Sequence, residues 1–207
     1  MKLFFQYCSY GFSNCYILGA DETDKAETNA AIIVDPGSME TVTLETIENN
    51  NLDVKAVLVT HDHQSHVRGL RTLKRIYDAE VFAVNQSVMD HKTIVVKDGD
   101  IFNVAGFTAE VISIPGHSSD SVVYRIRGML FTGDVLTAGL VGSTASAYGA
   151  ATQMNKLRSR LLSLPGDYIV LPGHGPPSTL EAERRFNTDI LNYDRNRTKR
   201  PSFNFGV

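Results

Sequence analysis

The chain has 207 residues, 43% of them hydrophobic, and its 20 basic and 23 acidic side chains leave a formal net charge of −3. This length and apolar content suit one folded domain with a sizeable core and exclude a disordered chain. The near balance of charge excludes a general affinity for nucleic acid.

At the N-terminus, Met1-Lys2-Leu3-Phe4-Phe5-Gln6 is followed by no long apolar segment of the secretory kind. No apolar run reaches the roughly 18–20 residues that cross a bilayer. Cys8 and Cys15 match no zinc or redox spacing and read as ordinary thiols in or near a strand. A cytoplasmic protein with no membrane partner is expected.

Strand-like runs come first, at Leu3–Tyr7, Asn14–Leu18 and Ala30–Val34, and Asp35-Pro36-Gly37-Ser38 closes the third as a turn. Thr41–Asn50 predicts a helix with Val42, Leu44 and Ile47 on one side. Ala56–Val59 reads as a strand buried on both faces and stops before Thr60. A helix over Val67–Tyr77 and a strand over Val81–Val84 follow. Beyond the Asp98-Gly99-Asp100 turn, strands are predicted at Ile101–Val104, Thr108–Ile114, Ser121–Ile126 and Met129–Thr132. The remaining expectations are a helix over Gln153–Leu162, a strand at Tyr168–Leu171 and a final helix from Thr179 to about Tyr193. The basic group Arg195, Arg197, Lys199 and Arg200 reads as a solvated tail. No repeat or linker divides the chain, so residues 1–207 are taken as one domain, an α+β arrangement of sheets with helices outside.

The histidines carry the chemistry. Of six, five stand in turns after apolar runs: His61, His63 and His66 after Ala56–Val59, His117 in Pro115-Gly116-His117, and His174 in Pro172-Gly173-His174-Gly175. Asp134 joins them in Thr132-Gly133-Asp134, directly after Met129–Phe131. Four strand ends thus each deliver an imidazole or a carboxylate to a loop. Neutral imidazole and carboxylate oxygen suit zinc, iron and manganese. In an extended segment a His-x-His pair puts both rings on one side. His91 lacks such a context and reads as an ordinary histidine.

The set Thr60-His61-Asp62-His63-Gln64-Ser65-His66, Pro115-Gly116-His117, Thr132-Gly133-Asp134 and Pro172-Gly173-His174-Gly175 resembles the metallo-β-lactamase superfamily. Within it the chain is most similar to single-domain relatives of hydroxyacylglutathione hydrolase (glyoxalase II). Ala31–Gly37 early and Pro172–Thr179 late extend the likeness over nearly the whole chain. The resemblance implies a four-layer αββα sandwich with metals at the edge between two sheets. It implies that His61, His63 and His117 hold one metal, that Asp134 bridges, and that His66 and His174 belong to a second. It further implies a metal-dependent hydrolase acting on a small molecule, a thioester or related acyl compound, through water activated by zinc, or by iron or manganese. No organic cofactor is implied, and the oligomeric state is open.

The chain departs from the family pattern His-x-His-x-Asp-His, because position 65 is serine. A neutral hydroxyl is a poor ligand for a divalent cation, so Ser65 and Asp134 are the catalytic candidates whose roles need defining. Three outcomes stand open: one metal at His61, His63, His117 and Asp134; two metals with another group filling the gap, Asp62 being adjacent but turned the other way; or metal binding without hydrolysis. A second departure is the neutral run Leu140–Gly149, where glyoxalase II relatives carry an arginine and an acid. The helical C-terminal domain of full glyoxalase II is also missing, so glutathione thioesters are not assured as substrates. An alternative is a mononuclear iron oxidoreductase resembling the persulfide dioxygenase branch, since iron on two histidines and one aspartate suits oxygen chemistry. A non-catalytic metal-binding relative is the third class.

Overall fold

A computed structural model describes residues 1–21 and 29–198. The first half builds β1 (Lys2–Cys8), β2 (Ser13–Gly19), β3 (Ala30–Val34), α1 (Thr41–Asn49), β4 (Asp53–Leu58), α2 (Gln64–Val67), α3 (Leu70–Ile76), β5 (Glu80–Ala83), the small hairpin β6 (Ser87–Val88) and β7 (His91–Lys92), and β8 (Ile94–Val95). The second half builds β9 (Ile101–Val104), β10 (Phe107–Ser113), β11 (Val122–Ile126), β12 (Met129–Gly133), the hairpin β13 (Leu136–Thr137) and β14 (Leu140–Val141), α4 (Ala147–Lys156), β15 (Ile169–Pro172), β16 (Ser178–Thr179), α5 (Leu180–Phe186) and α6 (Thr188–Thr198).

Two six-stranded sheets face each other, ordered β1-β2-β3-β4-β5-β8 and β16-β15-β12-β11-β10-β9. Three buried clusters account for four layers. Tyr16, Leu18, Ile32, Leu58, Val111, Tyr124 and Phe131 meet between the sheets. Ile17, Ile33 and Val57 pack outward against Ile47, Leu70 and Leu73 of the first helices. On the far side, Ile112, Val123 and Leu130 pack against Met154, Leu157 and Leu180. The expected αββα sandwich is therefore present, and the continuous apolar runs in β3 and β12 are buried at every position, as strands covered on both faces must be.

Several helix boundaries differ from expectation, each for a local reason. The buried face of α1 is Thr43 and Ile47, while Val42 is left in solvent. The helix expected over 67–77 is α3, which starts only at Leu70; Val67 ends the separate short helix α2, and the chain turns between them at Gly69. A Cβ there would sit 2.5 Å from the Pro36 carbonyl oxygen, which instead accepts the Gly69 amide at 2.8 Å. Helix α4 starts at 147 rather than 153, because Ser146 caps it by accepting from the Gly149 amide at 3.0 Å; the alanine-rich run after it favours helix without showing an apolar period. It passes into a π-helical turn at Leu157–Leu161. The final helix breaks at Asn187, whose buried side chain bonds Glu183 behind it at 2.6 Å and accepts amides of Asp189 and Ile190 ahead, both at 3.2 Å. Cys8 and Cys15 are buried free thiols in β1 and β2. The basic group at 195–200 falls outside the residues whose side chains are described. No described helix is long and apolar enough to cross a membrane.

Candidate metal centre

The C-terminal ends of parallel strands assemble the site. Strands β3 and β4 pair in parallel, as do β12 and β15. Their ends deliver Asp35, His61, Asp134 and His174 to one edge of the sandwich, and the loop between β10 and β11 brings His117. His63 lies in the extended turn after β4, and α2 then swings His66 back under it.

Two groups of side chains present one ligand atom each, all within 4.8 Å of one another: His61, His63, His117 and Asp134, and His66, Asp134 and His174. Asp134 belongs to both. Its Oδ2 lies 3.7 Å from His61 Nε2, 3.6 Å from His117 Nε2, 3.4 Å from His66 Nε2 and 3.5 Å from His174 Nε2. His63 Nδ1 is 3.0 Å from His117 Nε2. A tetrahedral ion bonded at about 2.0–2.1 Å needs ligand atoms about 3.3–3.4 Å apart, so these spacings fit. The buried His61 Nε2, His66 Nε2 and Asp134 Oδ1 have no hydrogen-bond partner. Buried polar atoms are rarely left so, and all three belong to side chains of the two groups, which fits a donor set built to hold cations.

The outer ring nitrogens are held as metal-ligating histidines usually are. His61 Nδ1 lies 3.1 Å from Thr60 Oγ1, and His66 Nδ1 lies 3.2 Å from Asp35 Oδ2. His117 Nδ1 donates to the Ser143 carbonyl at 2.8 Å, and His174 Nδ1 donates to the Phe12 carbonyl at 3.0 Å. These contacts turn the inner nitrogens of four rings toward Asp134. Close backbone approach is needed too: a Cβ on Gly173 would lie 2.4 Å from both Asp134 Oδ1 and His66 Cε1.

Burial sets the charge states. It pushes the His61 imidazole down to about 3, helped by the charge of His66. His63 is also lowered, by burial and by His117. For His66, burial is outweighed by attraction to Asp134 and Asp35, which carries it up to about 10. Burial likewise opposes ionisation of Asp134, yet His66 and His61 hold its carboxyl well below the usual range. Burial thus favours the neutral, ligating form of His61 and His63, while Asp134 is held ionised and His66 faces two acids.

Ser65 joins neither group. It is half-buried, its carbonyl accepts from Ser13 Oγ at 2.5 Å, and a Cβ on Gly11 would lie 2.6 Å from its own Cβ. Asp62 is exposed and also joins neither; its amide donates to Asp120 Oδ2 at 2.9 Å. Asp120 Oδ2 accepts from Asn85 Nδ2 at 3.1 Å as well, tying the His61–His63 loop to the loop after His117. His91 sits in the β6–β7 hairpin, outside both groups.

Asp35 is the functional residue that sequence reasoning took only for a turn. It is buried, holds φ +52°, and accepts from the Thr60 amide at 2.8 Å and the Thr60 hydroxyl at 2.6 Å besides facing His66. The available signal was an acid at the end of a wholly apolar strand, where a carboxylate must have partners.

The sequence model of the metallo-beta-lactamase superfamily matches residues 9–174. A hydroxyacylglutathione hydrolase of Chromohalobacter salexigens is 35% identical over 162 residues, covering 77% of this chain; the chain spans only 60% of that relative's length. Hydroxyacylglutathione hydrolase GloC of Haemophilus influenzae is 30% identical over 198 residues, covering 84% of this chain and 91% of its own. Among solved structures, TTHA1623 in a di-iron-bound form is 26% identical with a TM-score of 0.75, covering 90% of this chain and 99% of that one. ETHE1 from Myxococcus xanthus shares the fold at a TM-score of 0.81 and 24% identity, covering 98% and 93%.

Proposed function

Because this chain belongs to the metallo-β-lactamase superfamily, we propose that it is a metal-dependent hydrolase of a small acyl substrate, a thioester in the first instance. One observation carries this reading: the inner nitrogens of five histidines converge on Asp134, while the outer nitrogens of four are tied to fixed acceptors. His61, His63, His117 and Asp134 would hold one divalent cation, and His66, His174 and Asp134 a second. Zinc suits this donor set, and iron or manganese are the alternatives. When bound, such a cation makes water ionisable at about neutral pH and polarises a carbonyl. Asp134, ionised and shared between the groups, orients the attacking water by accepting its proton in a hydrogen bond. Ser65 has a hydroxyl for hydrogen bonding but no carboxylate to act as base. The hydroxyacylglutathione hydrolase names of the relatives support the thioester; the neutral Leu140–Gly149 run leaves the acyl and thiol parts open.

The test is elemental analysis of protein purified without chelator, beside Ser65→Asp, with thioester hydrolysis assayed on both. Two ions per chain and turnover of a thioester are expected. Metal-free protein with full activity would sink the proposal.

A second reading is a single iron held by two of the histidines and Asp134, the facial triad of mononuclear iron oxygenases; serine at position 65 favours it by leaving the group His66, Asp134 and His174 without a further carboxylate. Oxygen uptake with glutathione persulfide, iron-dependent and without thioester hydrolysis, would favour it. Full metal loading with neither activity would leave a binding protein.

A further inference from the structure

Strand β1 is the outermost strand of the first sheet. It pairs with β2 on one side, and no described strand pairs with its other edge. Its side chains alternate between two environments. Phe4 and Cys8 pack into the core beneath the helices, and Gln6 Nε2 donates to Thr46 Oγ1 of α1 at 2.9 Å. Leu3, Phe5 and Tyr7 point the other way. Leu3 stands opposite Leu18 and Phe5 opposite Tyr16, both in the core between the sheets, and the Phe5 and Tyr16 ring centroids are 5.6 Å apart. Yet Leu3, Phe5 and Tyr7 are 37%, 47% and 54% exposed. The cover given by the second sheet ends at β2.

Proteins usually blunt such an edge with proline, a bulge or several charges. β1 has none of these. Its register with β2 runs unbroken from Lys2 to Cys8, and Lys2 is its only charged residue.

We propose that β1 is the contact surface of a homodimer. Two copies pair antiparallel about a twofold axis through Phe5, joining their first sheets into one. This register sets Leu3 opposite Tyr7, Phe4 opposite Gln6 and Phe5 opposite itself, so the six exposed apolar side chains cover one another. Charge selects a second copy of this chain as the occupant. Lys2 falls opposite Cys8, next to Ser9, whose amide donates to Glu40 Oε1 at 2.7 Å and whose hydroxyl donates to Oε2 at 3.3 Å. Lys2 and Glu40 both lie on the helix side of the sheet. A twofold axis normal to the sheet keeps that side common to both copies, so each end of the paired strands brings Lys2 of one copy to Glu40 of the other.

Sedimentation velocity of the full chain across a broad concentration range tests this. A dimer is expected for the wild type. Phe5→Lys and Tyr7→Lys, both at exposed positions, are expected to shift it to monomer with the circular dichroism spectrum unchanged. Phe5→Cys is expected to cross-link to itself under mild oxidation, while Ile101→Cys, 67% exposed on the other sheet, does not. A wild-type monomer at every concentration overturns the proposal, whether the face is bare or covered by another segment of the chain. A dimer that survives both lysine variants, with Phe5→Cys uncross-linked, overturns it equally by placing the interface elsewhere.

Discussion

Replacing Asp35 by asparagine separates the support of the metal centre from its ligands. Asn tolerates the left-handed backbone that Asp35 adopts at φ +52° and nearly matches its shape. What changes is charge and one acceptor. In the wild type, Oδ1 accepts the Thr60 amide, while Oδ2 accepts the Thr60 hydroxyl and faces His66 Nδ1. With the amide oxygen kept on the Thr60 amide, the new NH2 group points at the hydroxyl and at His66. The hydroxyl can reverse and accept; a protonated Nδ1 cannot. Hydrogen bonds to charged groups are worth about 1.5–3 kcal/mol, and a buried donor left unpaired costs about 1–3 kcal/mol. With one such loss in full and one weakened, the metal-free protein should lose about 2–4 kcal/mol in urea unfolding. His66 also loses its outer anchor, which should weaken metal binding by about 10–100-fold in competition with a chelator. A loss below about 1 kcal/mol together with unchanged metal affinity would refute the argument that Asp35 holds Thr60 and His66 in place.

Four further outcomes are expected. Removing metal with a chelator should lower Tm: a site filled at about 1,000 times its Kd contributes about 4 kcal/mol, or roughly 8–16 °C for a chain of this size, and identical melting with and without chelator would contradict it. Gly173→Ala drives a Cβ against Asp134 Oδ1 and His66 Cε1, each at 2.4 Å, so purified protein should carry less metal while its far-UV spectrum persists. Asp120→Ala frees the Asp62 amide and Asn85 and should weaken metal binding by about 10-fold, with Asp120→Asn, which keeps an acceptor, restoring much of it; equal affinity in all three would show that the loop needs no such tie. Ser65→Asp restores the carboxylate of the family pattern one residue before His66, so titration should show a second equivalent bound more tightly than in the wild type.

The order of elements and the ligand set were legible because each is written locally. A strand buried on both faces must be apolar throughout, as β3 and β12 are. Ligands to a common ion must leave such strands at their ends, which is why His61, His117, Asp134 and His174 stand immediately after apolar runs. Residues 67–77 show where that legibility stops. The apolar spacing starts the helix at Val67, and the turn at Gly69 that delays it to Leu70 appears only once Pro36, far away in sequence, presents its carbonyl there. At Asn187 one side chain serves both helices, its Nδ2 donating to Glu183 and its Oδ1 accepting the first amides of α6, a double use that only the folded chain shows.

The amino-acid sequence by itself therefore determined the family, the layering and the six candidate ligands, because apolar period and ligand chemistry belong to residues taken singly or in short runs. Only the tertiary structure decided which residues stand behind the ligands. Asp35 meets His66, Ser143 meets His117, and Phe12 meets His174 because the parallel pairing of β3 with β4 and of β12 with β15 brings distant strand ends to one edge. The exposure of Leu3, Phe5 and Tyr7 belongs to the same class. Their alternation shows which face they share, but whether that face is covered depends on where the opposite sheet ends.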